Sequence, residues 1–346
     1  MIFKKLRQKI ESKRNSENLI WKIVIFLKDL CFSILKPLVE KSIDRENNKH
    51  YDEKYQDWLY ETFKDMGILE TPPISCNPDS DVEIHTLASH KHLFMYLCAI
   101  KSLLRFYNGV SVVVHDCTGD LTKEDIKILK IHIPGINVIE KPYADKKMAV
   151  YLKGFPQCQK YREEVLNSKE LLDHIILAKK NKIITMNSDV LFLQKPEELI
   201  SWIKGSKKEI VYVYEEGPKT ESDILSYVGS KFPPHIVLAL LCFYKDIMDL
   251  KLTESALKKI MPRFGDWCMG QAIYHLLIEK KSDKYEVRSF DQEKNAAPGI
   301  FKDGDIIRRS GIFKDSDIFR HYAASNGLNC HSHIKDAKKI ISELKK

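Results

Sequence analysis

The segment KIITMNSDVLFLQKPEEL, residues 182–199, sets one carboxylate, Asp189, between two apolar runs and follows them with Lys-Pro-Glu. A carboxylate placed where an apolar strand leaves its sheet can face a cleft. There it could hold a hard divalent cation such as Mn²⁺ or Mg²⁺, which prefers oxygen ligands, keeps several waters and bridges a protein carboxylate to diphosphate oxygens. Asn187 and Ser188 are turn formers, so a plain turn is the competing reading of the same three residues. Asp266, the acid of GDWCMGQAIYHLL (265–277), could serve as a general base or acceptor anchor, or could cap the helix that follows it. Lys160 and Arg162 in CQKYREEVL could grip a diphosphate, or could be solvated helix charges.

The elements that must position these residues alternate. VEIHTLAS (82–89), VSVVVHD (110–116), INVIE (136–140) and KIITMNSDVLFL (182–193) read as strands. LFMYLCAIKSLLRFY (93–107), TKEDIKILKIHI (122–133), SKELLDHIILAKK (168–180) and PEELISWIKG (196–205) read as helices, the second opened by Thr122 with Asp125 as its capping-box partner. Such alternation predicts an α/β fold, a mostly parallel sheet covered on both faces. Ligands of such sheets bind beyond the carboxyl ends of the strands, where strand order reverses. If KIITM is a central strand, Asn187, Ser188 and Asp189 lie at that edge. Upstream, the polar stretch 40–58 reads as a linker running into a short helix that ends near Met66, and 67–81 as irregular chain.

A chain of 346 residues, 44% hydrophobic and 30% charged, has material for one large domain with appendages or for two smaller ones. The formal charge of +8 favours an anionic partner. Much of it is local, in Lys4, Lys5, Arg7, Lys9, Lys13 and Arg14. The core lacks a basic stripe interleaved with aromatics, which argues against nucleic acid. The 8 cysteines have neither a CxxC pair nor zinc-finger spacing and read as reduced thiols of a cytoplasmic protein. No small-residue cleavage site follows the apolar stretch LIWKIVIFLKDLCFSILKPLV (19–39). Lys22, Lys28, Asp29 and Lys36 interrupt that stretch, so it reads as an amphipathic helix with Trp21, Ile25, Leu27, Phe32 and Leu35 on its apolar face. Behind a basic arm, such a helix suits the surface of an anionic membrane; packing on the protein's own core or on a second subunit is the alternative.

LLDHIILAKKNKIITMNSDVLFLQKPEEL resembles the donor-site segment of nucleotide-sugar glycosyltransferases of the glycosyltransferase A fold, especially the family-8-like bacterial enzymes. VVVHDCTGDLTKEDIKILKIHIPGINVIEK is similar to their second strand unit, VEIHTLASHKHLFMYLCAIKSLL to their first, and FRHYAASNG to a late segment whose histidine often completes a metal site. The resemblance spans roughly residues 80–330. It implies a single mixed, mostly parallel sheet flanked by helices at 81–333, behind an arm and amphipathic helix at 1–40 and a helical linker at 41–80, with a C-terminal helix at 334–346. It implies sugar transfer from a nucleotide-diphosphate donor to a saccharide, polysaccharide or lipid-linked acceptor, with Mn²⁺ or Mg²⁺. Carried over residue by residue, Thr86, Leu87 and Ala88 match the turn that cradles the nucleoside, and Asp116, Arg162 and Ser188 join the donor-binding set. Asp189 matches the second carboxylate of Asp-x-Asp, His321 the late histidine and Gln271 an acceptor-side position, while Asp266 stays a catalytic candidate on the reading of its own segment. Three departures stand out: Asn187 replaces the first aspartate, Leu238 and Leu240 occupy the place of Asn-x-Gly, and Gly270 stands before Gln271 where glutamate is usual. They favour either a divergent specificity or a catalytically impaired protein that binds nucleotide sugar.

The basic arm and narrow polar stripe generate the first prediction. A chain starting at Lys41 should keep the melting transition of the full chain, while only the full chain should sediment with anionic liposomes and be released by salt; full-length protein that ignores such liposomes returns the helix to ordinary packing.

Overall fold

Short β-rich runs separated by amphipathic ones fold here into two sheets and the helices that cover them. The computed structural model describes residues 47–214, 219–230, 236–264, 268–291, 295–296, 316–322 and 330–346. The arm and amphipathic segment at 1–40 and Asp266 fall outside them. The chain divides into two compact units, Met1–Gln56 and Asp57–Lys346. Of the first, only the opening of helix α1 (Asn47–Asp65) is described. The second continues with β1 (Val82–Ala88), α2 (Leu93–Leu104), β2 (Ser111–Asp116), α3 (Lys123–His132), β3 (Asn137–Ile139), α4 (Lys141–Tyr151), α5 (Pro156–Glu164), α6 (Ser168–Ile176), β4 (Lys182–Met186) and β5 (Val190–Phe192). Then come α7 (Glu197–Lys204), β6 (Glu209–Tyr214), α8 (Lys219–Val228), β7 (Ile236–Tyr244), α9 (Leu250–Ile260), α10 (Cys268–Glu279), β8 (Glu286–Ser289), β9 (Asn295–Ala296), β10 (Phe319–His321) and α11 (Cys330–Leu344).

The expected α/β architecture is present. A seven-stranded sheet runs β3-β2-β1-β4-β7-β6-β8, and a three-stranded sheet runs β5-β10-β9. The first four strands pair in parallel, β7 is antiparallel to both neighbours, and β8 is parallel to β6. β2 is buried at every residue and β1 at all but Leu87, as expected of central strands covered on both faces. Thr122 and Asp125 form the reciprocal capping box of α3, satisfying two otherwise orphaned amides. The phenyl rings of Phe192 on β5 and Phe319 on β10 meet at 5.5 Å within the small sheet, and Phe290 packs edge-on against Phe319.

Two expectations change. Residues 47–58, read as linker, belong to α1; its polar composition hides a helix whose Leu59 and Phe63 are buried. KIITMNSDVLFL is two strands in two different sheets, broken at Asn187–Asp189. Cys76, Cys98, Cys117, Cys158, Cys242 and Cys268 are buried thiols, and no helix among the described residues is long and apolar enough to cross a membrane.

Arg162 requires a correction. It is buried on α5, its Nε and Nη2 donate to the Asp173 carboxylate of α6 at 2.7 and 2.8 Å, and its Nη1 donates to Asp145 of α4 at 2.8 Å. A guanidinium engaged with two carboxylates joins three helices, and its three hydrogen bonds go to protein carboxylates. Lys160, in contrast, is an exposed helix charge beside Glu164.

Between β1, β2 and α6 lies a polar interior that the sequence reading did not anticipate. His85, His115 and His174 pack with ring centroids 5.1, 5.5 and 4.7 Å apart. His85 Nδ1 and His115 Nε2 share a hydrogen bond of 2.8 Å, and His174 Nδ1 lies 3.1 Å from Thr185 Oγ1. Burial lowers the pKa of all three rings, so they are neutral. Glu83 opposes the effect at His85, and itself accepts from the amides of Lys179 and Lys180. Lys101 is enclosed as well, donating to Thr71 Oγ1 at 2.5 Å, and burial brings its ammonium down to about 8.

Unfolding releases the three imidazoles to their ordinary pKa of about 6.5, so below that pH the unfolded chain holds more protons than the native one. Stability should therefore be full above about pH 6.5 and be lost as the pH falls through the depressed native values. Melting temperatures measured across this range should drop steadily on acidification, less steeply in His174→Gln; a flat profile would contradict neutral burial. Arg162→Met should destabilise by about 3–5 kcal/mol in urea unfolding, because it strands Asp173 in the interior. A loss below about 1 kcal/mol would mean that the carboxylate finds water or another donor.

Candidate functional site

The order of the large sheet reverses between β1 and β4: the chain steps outward from β1 to β2 and β3 on one side, then returns to place β4 on the other. The crevice beyond the carboxyl ends of these two strands is the natural binding edge of an open α/β sheet. Two turns border it. On the β1 side, Thr86 is buried with its hydroxyl unpartnered, Leu87 is part-buried, and the Ala88 carbonyl accepts from the Cys117 amide at 3.2 Å. Asp116, at the end of β2, accepts from the amides of Gly119 at 2.8 Å and Leu121 at 3.5 Å, which closes the turn after its strand. Burial raises its pKa.

On the β4 side the backbone is held twice. Asn187 N donates to Ala239 O of β7 at 3.0 Å, and Tyr322 N donates to Asp189 O at 3.2 Å. β5 then pairs antiparallel with β10, setting His321 opposite Val190. This register brings two residues far apart in the chain together: His321 Nε2 is 3.5 Å from Asp189 Oδ1, and both side chains are nearly closed off from solvent. Asn187 and Ser188, part-buried, complete the turn.

Three further groups feel the Asp189 charge. His92, just past β1, has its Nδ1 3.1 Å from Ser89 Oγ; burial lowers its pKa and Asp189 opposes the shift. His333 of α11 stacks on Tyr322 with ring centroids 4.4 Å apart, and neither ring nitrogen has a partner. Burial brings its pKa down to about 4, again against the pull of Asp189. Glu170 of α6 is pushed up to about 8, first by burial and then by the negative Asp189. The sequence reading missed all three. The HKH tripeptide directly after the first strand was a usable signal for His92. Glu170 and His333 carry no local signal, because their burial comes from contacts made across the fold.

Asp189 and His321 fit a divalent cation as a pair. A carboxylate oxygen and an imidazole nitrogen each ligate within about 2.0–2.2 Å, so a 3.5 Å gap lets both reach one ion. His321 Nδ1 is buried without a partner, an open position for the second contact that usually orients a ligating ring. Among the described residues no three His, Cys, Asp or Glu side chains form a metal centre by themselves, so further ligands would have to come from Asn187, water or the bound molecule.

The two leucines and the glycine noted in the sequence are buried. Leu238 and Leu240 are buried within β7, and Gln271 of α10 is buried with its Oε1 unpartnered. A Cβ built on Gly270 would lie 3.1 Å from the Tyr161 hydroxyl, so the glycine makes room for that ring. Tyr274 donates to the Glu170 carbonyl at 2.9 Å, tying α10 to α6.

No protein-family profile matches the chain, and no curated protein matches it. Solved structures do. The galactosyltransferase LgtC in complex with donor and acceptor sugar analogues is 14% identical, with 74% of this chain and 95% of that one covered at a TM-score of 0.47. Mouse xyloside xylosyltransferase 1 is 12% identical, with 72% and 97% covered and a TM-score of 0.46. The mannosyltransferase Ktr4p from S. cerevisiae in complex with GDP is 13% identical, with 84% and 92% covered and a TM-score of 0.42. These neighbours are glycosyltransferases; at such TM-scores the likeness carries no argument about what this chain does.

Proposed function

We propose that the chain transfers a glycosyl group from a nucleotide-diphosphate sugar, holding the donor at the β1/β4 edge with a divalent cation on Asp189 and His321. The observation that supports this reading is the 3.5 Å approach of those two side chains at the point where the sheet order reverses. Thr86, Leu87 and Ala88 border the nucleoside, and Asn187 and Ser188 offer uncharged oxygens to ribose or phosphate. Mn²⁺ or Mg²⁺, when bound, neutralises charge on the departing diphosphate. Asp189 and His321 orient that end of the donor, while the buried Leu238 and Leu240 keep water away from it. Gln271 faces the acceptor, and Asp266 acts as the base or anchor of that side. The acceptor is a saccharide, a polysaccharide or a lipid-linked sugar, which the chain meets at an anionic membrane through residues 1–40.

A second reading has its own support. Asn187 brings no charge to the ion, and the β7 residues beside it are apolar and buried. These features suit a protein that binds nucleotide sugar without turning it over.

Calorimetry of UDP and GDP binding with and without Mn²⁺ tests the site. Metal should strengthen binding, and Asp189→Ala should abolish that gain; identical binding by parent and variant would refute the metal assignment. Asn187→Asp should tighten Mn²⁺ by about tenfold, ~1.4 kcal/mol. Donor hydrolysis with a panel of nucleotide sugars then separates the readings: an enzyme shows turnover that Asn187→Asp increases, whereas a binding protein gains metal affinity and still hydrolyses nothing.

A further inference from the structure

A cavity of about 380 Å³ lies among α4, α5 and the first turn of α6. None of the residues that border it is Asn187, Ser188, Asp189 or His321. Its volume is that of a small-molecule pocket, larger than a bare inorganic ion requires.

The charges on its wall can be followed one by one. Arg162 is matched by Asp173 and Asp145. Lys141 reaches the same Asp145 at 2.5 Å and keeps further N–H donors. Glu163 is exposed and accepts from Gln159 Nε2 at 3.1 Å. Lys169 differs from all of them. It is only 8% exposed, it borders the cavity, and its ammonium makes no hydrogen bond or ion pair with any described residue. Burial lowers its pKa although Asp173 and the Cys117 thiol pull the other way. A mostly buried ammonium that reaches solvent only through this cavity and has no hydrogen-bonded counter-charge is poorly compensated, and an anion entering the cavity offsets that deficit. Met148 of α4 and Leu152 just after it, both buried, supply an apolar surface to the same space.

We propose that this cavity is a second anion site, which takes a phosphomonoester with its phosphate on the Lys169 ammonium and its organic part against Met148 and Leu152. A phosphomonoester carries close to two negative charges near neutral pH and three acceptor oxygens, enough to engage Lys169 and the spare donors of Lys141 together. A carboxylate offers one charge and two oxygens. The assignment goes beyond the donor-site reading and stands whether or not the β1/β4 edge binds nucleotide.

The test is calorimetric titration of the full chain at neutral pH, without metal, using inorganic phosphate and phenyl phosphate as separate probes. Both should bind the parent, phenyl phosphate several-fold more tightly. Lys169→Gln should weaken both by about tenfold or more, and Lys169→Arg should restore most of the affinity. Asp189→Ala should leave both titrations unchanged. No binding to the parent, equal binding by Lys169→Gln, or phenyl phosphate no tighter than phosphate would each overturn the assignment, as would a loss in Asp189→Ala equal to that in Lys169→Gln. If Lys169→Gln does not fold, acetylation of the unmodified protein followed by mass spectrometry decides the matter. Phenyl phosphate should slow acetylation of Lys169 and leave exposed Lys160 unaffected; equal rates at Lys169 with and without it would dismiss the site.

Discussion

Everything at the candidate site depends on β1 being hydrogen-bonded in parallel to β2 on one side and β4 on the other. Parallel pairing aligns the carboxyl ends of all three strands on one edge, and the reversal of chain order between β1 and β4 leaves a crevice there that no connecting segment needs to cross. The chain leaves β4 at Met186 and is captured at once by β7 and by Tyr322. The backbone at Asp189 is thereby held by main-chain hydrogen bonds that do not involve its side chain, as a preorganised charge requires.

The same packing explains the polar interior. Strands buried on both faces cannot turn a histidine to solvent, so His85 and His115, diagonal neighbours on β1 and β2, must find partners among themselves, Glu83 and α6. Burial keeps them neutral, and they then behave as aromatic packing with a few directional bonds. The Arg162, Asp173 and Asp145 cluster solves a related problem between helices, where burial raises the Asp173 carboxyl and its pairing with Arg162 opposes that shift. Neutral rings under the sheet and paired charges between helices leave Lys169 and the Asp189 neighbourhood as the places where an added ion changes the electrostatics most.

How much of this was legible in sequence varies by residue. The alternation of strands and helices was plain because parallel strands are continuous apolar runs, and the Thr122–Asp125 capping box was readable because both halves are local. The turn at Asn187–Asp189 showed as polar residues interrupting apolar ones. Its departure into a second sheet did not show, since VLF reads the same in either sheet. The first half of helix α1 was hidden by its polar composition although its end near Met66 was readable, and α4 was hidden by the lack of any marked apolar face. The ion pairs of Arg162 were not legible because a basic residue on a helix looks alike whether its partners are water, a ligand or Asp173 eleven positions away. His321 was found through the resemblance alone; the 3.5 Å contact that gives it meaning is set by the register of β5 with β10, which no local pattern specifies.

The break at Asn187–Asp189 also has a mechanical side. Three residues form the covalent joint between the seven-stranded and three-stranded sheets at this point, and His321 rides on the smaller sheet while Thr86, Leu87 and Ala88 ride on the larger. A molecule long enough to touch both groups acts as a brace across that joint. Its grip on either end stiffens the angle between the sheets, so a ligand here would be felt as torque along β4 and β5 as well as through its own contacts.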